Sequence, residues 1–259
     1  MIQIADRRLT SVIKGRTTVA AENACKALLL KLPDSDYLVG YTGLALVEGK
    51  PMIHHLAECF TRAWAKCGEN FDAFWVWAKI EVRDLFTSPS FMAYRGQDRR
   101  FTVMASGFVY DPQRLFASPR YLLMSNFQEW GVADHPVASS RFNFLPFQPK
   151  KDVQEPLTFI QAVGAYGVVR SEDIEALRVL LEECTNPRHV KNRIRGLFSR
   201  YTQMSSTIGP ALNMSILYPG GDFDVDSFDG ATTGDFGTHV LDLSGKQPTY
   251  LEAVPIAKR

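Results

Sequence analysis

The order of the secondary-structure segments constrains the fold more than any other feature of this sequence. Strand-like runs come first, two helices follow Pro51, and strands return after Pro89. A second pair of helices begins at Ser171, and further strands complete the chain. Blocks of strands separated by helix pairs are typical of α+β folds, because each helix pair can cover one face of a sheet. The order therefore predicts a four-layer α-β-β-α sandwich with two facing sheets at its centre.

The helices are predicted from apolar residues that recur every three or four positions. The first helix carries this pattern from Ile53 to Trp64 and is closed by Gly68, a residue type common just after helix ends. The second begins near Asn70 and runs to about Phe86. The apolar faces of the later pair are Ile174, Leu177, Leu180 and Leu181, followed by Val190, Ile194, Leu197 and Tyr201.

The strands are predicted from runs of branched and aromatic residues that lie between turn-forming residues. Residues 33–36 separate two such runs, 26–32 and 37–42, and predict a hairpin that ends at Gly43. Residues 10–23 form a polar stretch that is assigned to no strand. Other strands are predicted at 2–5, 101–110, 121–127, 142–147, 159–166, 212–218 and 239–243, with Val254 ending a last one.

Composition and charge narrow the classes of partner. The chain has 259 residues, of which 46% are hydrophobic, so it can bury a substantial core. Its 29 basic and 28 acidic residues leave a net charge of +1. This balance gives no electrostatic reason to expect nucleic acid or an anionic membrane as a partner. Without an internal repeat or a long linker, residues 1–259 are predicted to form one domain.

The cysteines and the apolar runs predict a cytoplasmic protein. The four cysteines are Cys25, Cys59, Cys67 and Cys184, and none belongs to a CxxC pair. Their apolar or helical surroundings predict buried free thiols, which are typical of a reducing compartment. The sequence has no charged-then-apolar secretory leader and no run of about 18 apolar residues, so no transmembrane helix is expected.

Residues 222–227 form an acidic segment that is predicted to lie in a loop. Its aspartates occupy every second position, as in the start of a calcium-binding loop. The glycine and the glutamate that complete such a loop are replaced by Ser227 and Thr233. The adjacent His54 and His55 of the first helix are not expected to bind one metal together. The sequence therefore predicts no metal and no cofactor.

Three short segments occur in order near the start of the chain. They are residues 4–10 (IADRRLT), 26–29 (KALL) and 37–45 (YLVGYTGLA). Together they resemble the start of proteasome β-type subunits and of bacterial proteasome-like N-terminal nucleophile (Ntn) hydrolases. In that family an aspartate follows the second strand, a lysine opens a later strand, and a glycine closes the next one. The resemblance implies the α-β-β-α sandwich of the family.

The resemblance also implies a set of supporting catalytic residues. The nucleophile of the family is an N-terminal Thr, Ser or Cys, and its own α-amino group, which titrates near pH 8, is the base. A nearby lysine favours the anionic form of the nucleophile, and a glycine N–H stabilises the oxyanion. By this resemblance Asp6 is the orienting carboxylate, Lys26 the activating lysine and Gly43 the oxyanion donor.

The sequence departs from the family pattern in three places. Only five residues precede Asp6, so we expect the first strand and the nucleophile of the family to be absent from this chain, as a misassigned start codon would explain. Thr17 is an internal alternative, because residues 15–20 (GRTTVA) resemble the family's processing junction. Ala165 stands where a serine is usual, and residues 203–209 lack the aspartate of a later motif.

Two functional hypotheses from different classes follow. The first is a hydrolase of amide or peptide bonds that forms homo-oligomers, as rings or stacked assemblies. The second is a non-catalytic homologue that keeps the sandwich as an assembly or interaction module, which the alanine at position 165 favours. An unrelated α+β protein is a third alternative.

Overall fold

The structure is a computed structural model of the 259-residue chain. It describes residues 1–6, 9–13, 16–21, 24–68, 71–95, 99–111, 116–128, 135, 137–147, 160, 169–183, 187–205, 208, 212–228 and 237–255. The predicted strand at 159–166, residue Ala165 and Cys184 lie outside the described residues or almost entirely so.

The described residues form fourteen strands and five helices. The strands are β1 (Ile2–Asp6), β2 (Leu9–Ile13), β3 (Arg16–Ala21), β4 (Ala27–Leu32), β5 (Ser35–Gly43), β6 (Leu46–Val47), β7 (Lys50–Pro51), β8 (Phe101–Asp111), β9 (Phe116–Ser125), β10 (Asn143–Phe147), β11 (Leu212–Leu217), β12 (Phe223–Phe228), β13 (Gly237–Asp242) and β14 (Thr249–Pro255). The helices are α1 (Met52–Cys67), α2 (Phe71–Phe86), α3 (Pro89–Met92), α4 (Ser171–Glu183) and α5 (Pro187–Met204).

The larger sheet has seven strands in the order β10-β9-β8-β5-β4-β13-β14. All neighbours are antiparallel except β13 and β4, which run parallel. The hairpin predicted around residues 33–36 is confirmed as β4 and β5, with Ala27 opposite Gly40. Pro146 lies in the edge strand β10, as its missing N–H predicts.

β9 spans Phe116–Ser125, whereas the sequence predicts a strand at 121–127. The structure begins this strand at Phe116 and pairs Pro119 with Phe108 of β8. β9 has β8 on one side and β10 on the other, but only residues 121–125 of β9 pair with β10. At Pro119 the side of β9 toward β10 therefore has no neighbour within the described sheet. A proline is tolerated at such a position, since no ladder partner needs its N–H.

The smaller sheet has three strands in the order β1-β11-β12, all antiparallel. The prediction that the acidic segment 222–227 lies in a loop is wrong, because most of this segment forms β12. Phe223 and Val225 alternate with the aspartates, which is the period of a half-buried strand. The polar stretch 10–23, assigned to no strand, contains the hairpin of β2 and β3.

Helices α1 and α2 pack together against one face of the larger sheet. Both predicted helices are confirmed, and α1 is followed by Gly68 as expected. They share a buried apolar cluster with β4, β5 and β8. Its largest members that are less than 2% exposed are Phe60, Phe74, Phe91, Phe101, Leu28, Leu30, Met52, Ile53, Leu56 and Met124.

Helices α4 and α5 pack against the smaller sheet. Val190 and Ile194 of α5 share an apolar cluster with Met214 and Ile216 of β11. The face of the larger sheet that does not meet α1 and α2 contributes Leu29 and Leu38 to a separate cluster with Leu217 of β11. The two sheets therefore contact each other as well as their helices, which agrees with the α+β class.

Asp173 joins α4 to α5 through a buried carboxylate that is only 2% exposed. Its Oδ2 accepts a hydrogen bond from the Tyr201 hydroxyl at 3.0 Å and lies 2.5 Å from Arg200 Nη2. Arg170 Nε donates to the same oxygen at 3.3 Å. The hydrogen bond from Arg170 first, and then the close ion pair with Arg200 and the hydrogen bond from Tyr201, hold the pKa of Asp173 well below its usual value.

Two further properties of the fold concern the cysteines and membranes. Cys59 and Cys67 are buried free thiols, as predicted, whereas Cys25 is only half-buried. Among the described helices, none combines the length and the apolar character needed to cross a membrane.

Replacing Asp173 with asparagine removes the negative charge between Arg170 and Arg200. We expect D173N to lower the free energy of unfolding by about 2 kcal/mol near pH 7, because hydrogen bonds to charged groups are the stronger ones. The folded-state pKa of Asp173 is depressed, so its contribution is present above the unfolded pKa of about 4 and is lost as the pH falls below it. Urea unfolding between about pH 7 and a pH below about 4 measures the difference in the free energy of unfolding between the wild type and D173N, which should shrink as the pH falls.

The matched control is E175Q on the same helix. Glu175 pairs with Arg178 at the surface, where ion pairs contribute little to stability. We expect E175Q to unfold like the wild type. Equal losses in the two variants, or a D173N deficit that does not shrink in acid, would contradict the assigned role of Asp173.

Candidate functional site

Lys26 and Gly43 lie at the same end of the larger sheet. Lys26 immediately precedes β4, and Gly43 is the last residue of β5. The two strands are antiparallel with Ala27 opposite Gly40, so the start of β4 lies beside the end of β5. Lys26 is half-buried and Gly43 is exposed. The structure therefore places two of the three residues that the sequence analysis singled out at the same end of neighbouring strands.

The direction of β1 relative to β5 indicates where the third residue lies. Met1 packs against the cluster that contains Leu38, and Gln3 meets Gly40, two residues further along β5. Strand β1 therefore runs over β5 in the same sense. Asp6 ends β1, with its backbone opposite Leu212 of β11, about 10 Å beyond Gln3 at the usual rise of a strand. This sense carries the end of β1 toward the end of β5.

Gln3 is the residue that fixes how far along β5 strand β1 lies. Its side chain is 3% exposed, and its amide occupies the space where any residue other than glycine at position 40 would place Cβ. The same space is bordered by the backbone carbonyl of Lys26, 3.8 Å from that Cβ position. A glycine at position 40 is therefore what allows a polar side chain of β1 to reach the start of β4.

Two buried hydroxyl groups extend this polar contact between the sheets. Ser215 of β11 lies opposite Gln3 in register, and its Oγ is 3.1 Å from Oγ1 of Thr238 in β13. The two residues are 1% and 0% exposed. Among the described residues, no group hydrogen-bonds to Oε1 of Gln3. Gln3, Ser215 and Thr238 form what we call the inter-sheet polar cluster.

The inter-sheet polar cluster was missed by reasoning from the sequence. Two signals were available, namely a glutamine inside the apolar run 2–5 and a glycine inside the strand 37–42. A glycine within a strand often marks the close approach of another group. The group that approaches belongs to a distant segment, however, and nothing in the local sequence identifies it.

Gly43 has a backbone conformation that favours glycine. Its φ is 105°, and a Cβ at this position would overlap the backbone carbonyl oxygen of Arg100. The adjoining segment is held by Asn126, whose Oδ1 accepts a hydrogen bond from Phe101 N at 2.7 Å and whose Nδ2 donates to Arg99 O at 2.9 Å. The predicted end of the strand at Gly43 is confirmed, while its role as an oxyanion donor stays a prediction.

Thr17 lies within β3, where it pairs with Val12 of β2. Cleavage before Thr17 would remove both β2 and β1, and with β1 the buried Gln3. A processed protein would therefore lose one strand of the smaller sheet. Ser206 and Thr207, at the position of the later family motif, lie outside the described residues, as does Ala165.

The described part of the chain offers no grouping of three or more His, Cys, Asp or Glu side chains that could hold a metal ion. The acidic residues of β12 follow an extended strand, whereas a calcium loop must wrap around its ion. Asp224 points to solvent from this strand. The described geometry therefore gives no support to a calcium site at 222–227.

No protein-family model and no curated protein matches this sequence. Among solved structures, Anbu from Hyphomicrobium sp. strain MC1 is similar with a TM-score of 0.50 at 9% identity, over 88% of this chain and 83% of that chain. The helical assembly of the Anbu complex from Pseudomonas aeruginosa gives 0.48 at 10% identity, over 88% and 80%. Anbu (ancestral beta-subunit) from Yersinia bercovieri gives 0.44 at 10% identity, over 82% and 75%.

These comparisons correct the family that the sequence analysis expected. The assignment to proteasome β-type subunits and bacterial proteasome-like Ntn hydrolases without their first strand is wrong, because the similar structures are of Anbu, a proteasome-like but distinct family. The three motif segments cover only residues 1–45 and are too short to separate related families. At 9% identity, the likeness to the Hyphomicrobium structure shows the fold alone.

The contact of Gln3 with Gly40 can be tested by a double-mutant cycle. We expect G40A to lower the free energy of unfolding by about 1–3 kcal/mol, because the new methyl group overlaps the buried amide of Gln3. Combined with Q3A, the same substitution should cost much less, since the overlapping group is gone. Chemical denaturation of the wild type, both single variants and the double variant measures this coupling.

Gly196 provides the control, because a Cβ there meets no atom within 4 Å. It lies in α5, where alanine is a better helix former than glycine, so G196A should be neutral or stabilising by up to about 1 kcal/mol. Additive effects of G40A and Q3A would contradict the packing of β1 over β5.

Proposed function

We propose that this chain is a proteasome-like homologue that hydrolyses amide or peptide bonds. The observation that supports the proposal is the position of Lys26 and Gly43 at the same end of two neighbouring strands of the larger sheet, with β1 directed toward that end. Included in the proposal are a single domain over residues 1–259, a cytoplasmic location and a homo-oligomeric state. The contacts of α1 and α2 with one sheet, and of α4 and α5 with the other, support a four-layer α-β-β-α sandwich.

Each of the three residues has a chemical task in this proposal. The positive charge of the Lys26 ammonium group favours the anionic form of the Thr, Ser or Cys nucleophile, a residue that the sequence analysis expects to be absent from this chain. The Asp6 carboxylate holds that ammonium group in place. The N–H of Gly43 donates to the oxyanion of the tetrahedral intermediate, and the exposed position of Gly43 is compatible with access by a substrate.

A second candidate function is a non-catalytic assembly or interaction module. The observation that favours it is the packing beside Lys26, where the side chain of Gln3 fills the space over Gly40. Gln3, Ser215 and Thr238 are all at most 3% exposed, so the layer between the sheets is closed at this point. A module that only assembles with other copies needs no opening there.

A peptidase assay on protein isolated from its native source separates the two functions. If the chain is a hydrolase, K26A should lower kcat by about 10²–10³-fold, because the charge that stabilises the nucleophile is lost. The control is K31A at the other end of the same strand, β4, which should stay within about twofold of the wild type.

Light scattering on the same samples gives the assembly state. The proposed homo-oligomer predicts a mass that is a multiple of 29.1 kDa for all three proteins. Hydrolysis that K26A leaves intact would contradict the role of Lys26. Assembly without hydrolysis of any peptide tested would favour the non-catalytic module, and a mass of 29.1 kDa would contradict both candidates.

A further inference from the structure

The backbone N–H of Gly43 is directed away from β8. In an antiparallel pair, successive residues of a strand turn their N–H and C=O groups alternately to the two sides. The N–H of Asn126 donates to the Phe101 carbonyl oxygen at 3.1 Å, so the backbone groups of Phe101 face the β9 side. Gly43 is the residue of β5 that lies opposite Phe101. The two residues therefore form a pair without mutual hydrogen bonds, and the N–H of Gly43 points to the other side of β5.

The far end of the same two strands has a matching pattern. The N–H of Tyr110 donates to the Asp34 carbonyl oxygen at 2.7 Å, just outside the pair formed by Ser35 and Val109. A bond in this position marks Ser35 and Val109 as a pair without mutual hydrogen bonds. Such pairs recur at every second residue, and the register of β5 and β8 continues without a shift to Gly43. Both ends of the ladder therefore give Gly43 the same orientation.

Strand β4 lies on the side of β5 to which this N–H points. Within the described sheet, β4 and β5 pair only from Ser35 to Gly40, so their ladder stops before Gly43. Lys26, which precedes β4, lies at this end of the strand. The N–H of Gly43 is thus directed to a side where no strand continues the described ladder, as a donor to an oxyanion requires.

The segment 99–101 packs directly against Gly43 from the side of β8. A Cβ on Gly43 would overlap the carbonyl oxygen of Arg100 and would lie 3.1 Å from Phe101 Cα. The backbone of the segment therefore fills the space beside the Gly43 Cα. If the segment moved, the end of β5 would be free to turn, and the direction of the Gly43 N–H would change with it.

Asn126 holds this segment at both of its ends. Its Oδ1 accepts a hydrogen bond from Phe101 N at 2.7 Å, and its Nδ2 donates to Arg99 O at 2.9 Å. The side chain is 2% exposed, so water does not compete for these bonds. The backbone of Asn126 is held in turn by Ser139, whose N–H donates to Asn126 O at 2.7 Å. One buried amide thus fixes the segment that packs against Gly43.

Buried polar groups on both sides of Asn126 limit its movement. Thr102 Oγ1 lies 2.8 Å from Ser125 Oγ and 2.7 Å from Gln128 Oε1. The N–H of Gln128 donates to Ser125 Oγ at 2.8 Å. These bonds join β8 to the residues before and after Asn126, so its amide is presented to the segment 99–101 in a defined position.

We propose that Asn126 is a positioning residue, which sets the direction of the Gly43 N–H through the segment 99–101. Its effect on catalysis rests on the proposed hydrolase function, whereas its effect on the placement of Gly43 does not. Asn126 contacts no substrate in this proposal. The oxyanion develops only as the reaction proceeds, so a misdirected Gly43 N–H lowers kcat and leaves KM almost unchanged.

NMR spectra of the full chain test the placement of Gly43. Labelling with ¹⁵N-glycine and ¹³C-carbonyl threonine selects Gly43 and Gly234, the two glycines that follow a threonine, and G234A identifies which signal is which. N126L replaces the amide with an apolar group of similar size, and it should displace the Gly43 signal. The matched control is Q128M, which removes a buried amide from the same segment and should leave the Gly43 signal in place.

The peptidase assay described above tests the consequence for catalysis. N126L should lower kcat by up to about 10²-fold, as small misplacements of reacting groups do, with KM within about threefold of the wild type. Q128M should stay within about twofold of the wild type in kcat. If N126L does not fold, N126D replaces it, because its carboxylate still accepts from Phe101 N but cannot donate to Arg99 O.

Two results would overturn the role of Asn126. One is a Gly43 signal that N126L leaves unchanged or that Q128M displaces equally. The other is an equal fall of kcat in both variants, which would mean a general loss of structure. A wild type that hydrolyses no peptide contradicts the proposed function instead, and the Gly43 signal then decides on the placement by itself.

Discussion

The contact of Gln3 with Gly40 is the constraint on which the arrangement of the two sheets depends. This contact places a polar side chain of the smaller sheet against a glycine of the larger sheet, in the space that a Cβ would otherwise fill. Around it the layer between the sheets is apolar, with Leu29, Leu38 and Leu217 packed together. Apolar packing of this kind has no direction, whereas a buried amide next to a glycine fits in one place. The pair therefore sets how far β1 extends along β5.

The placement of β1 connects the fold to the proposed chemistry. If Gln3 moved by two residues along β5, the end of β1 would move by about 7 Å relative to Lys26 and Gly43. In the proposed hydrolase, a shift of that size would separate the Asp6 carboxylate from the Lys26 ammonium group. Ser215 and Thr238 reinforce the same placement, because their hydroxyl contact joins β11 to β13. In the proposed hydrolase, the inter-sheet polar cluster would therefore act on the site by positioning β1.

Much of the fold could be predicted from local sequence patterns. Helices α1, α2, α4 and α5 each bury one regular face, and the β4–β5 hairpin follows from the two runs 26–32 and 37–42 on either side of the turn-forming residues 33–36. The strand β12 was missed because its aspartates suggest a loop, while its pairing with β11 is a long-range property. For the site, Lys26 and Gly43 came from family motifs. The roles of Gln3 and Asn126 depend on contacts between distant segments, which no local pattern encodes.

The proposed site requires Asp6, at the end of β1, to lie beside Lys26, and zero-length cross-linking tests this requirement most directly. A carbodiimide joins a carboxylate to an amine only where the two are in contact, and peptide mass spectrometry then identifies the linked residues. Lys66 and Glu81, which form an ion pair between α1 and α2, are the internal positive control. The account predicts a link between Asp6 and Lys26 alongside the control link. Formation of the control link without any link from Asp6 to Lys26 would contradict it.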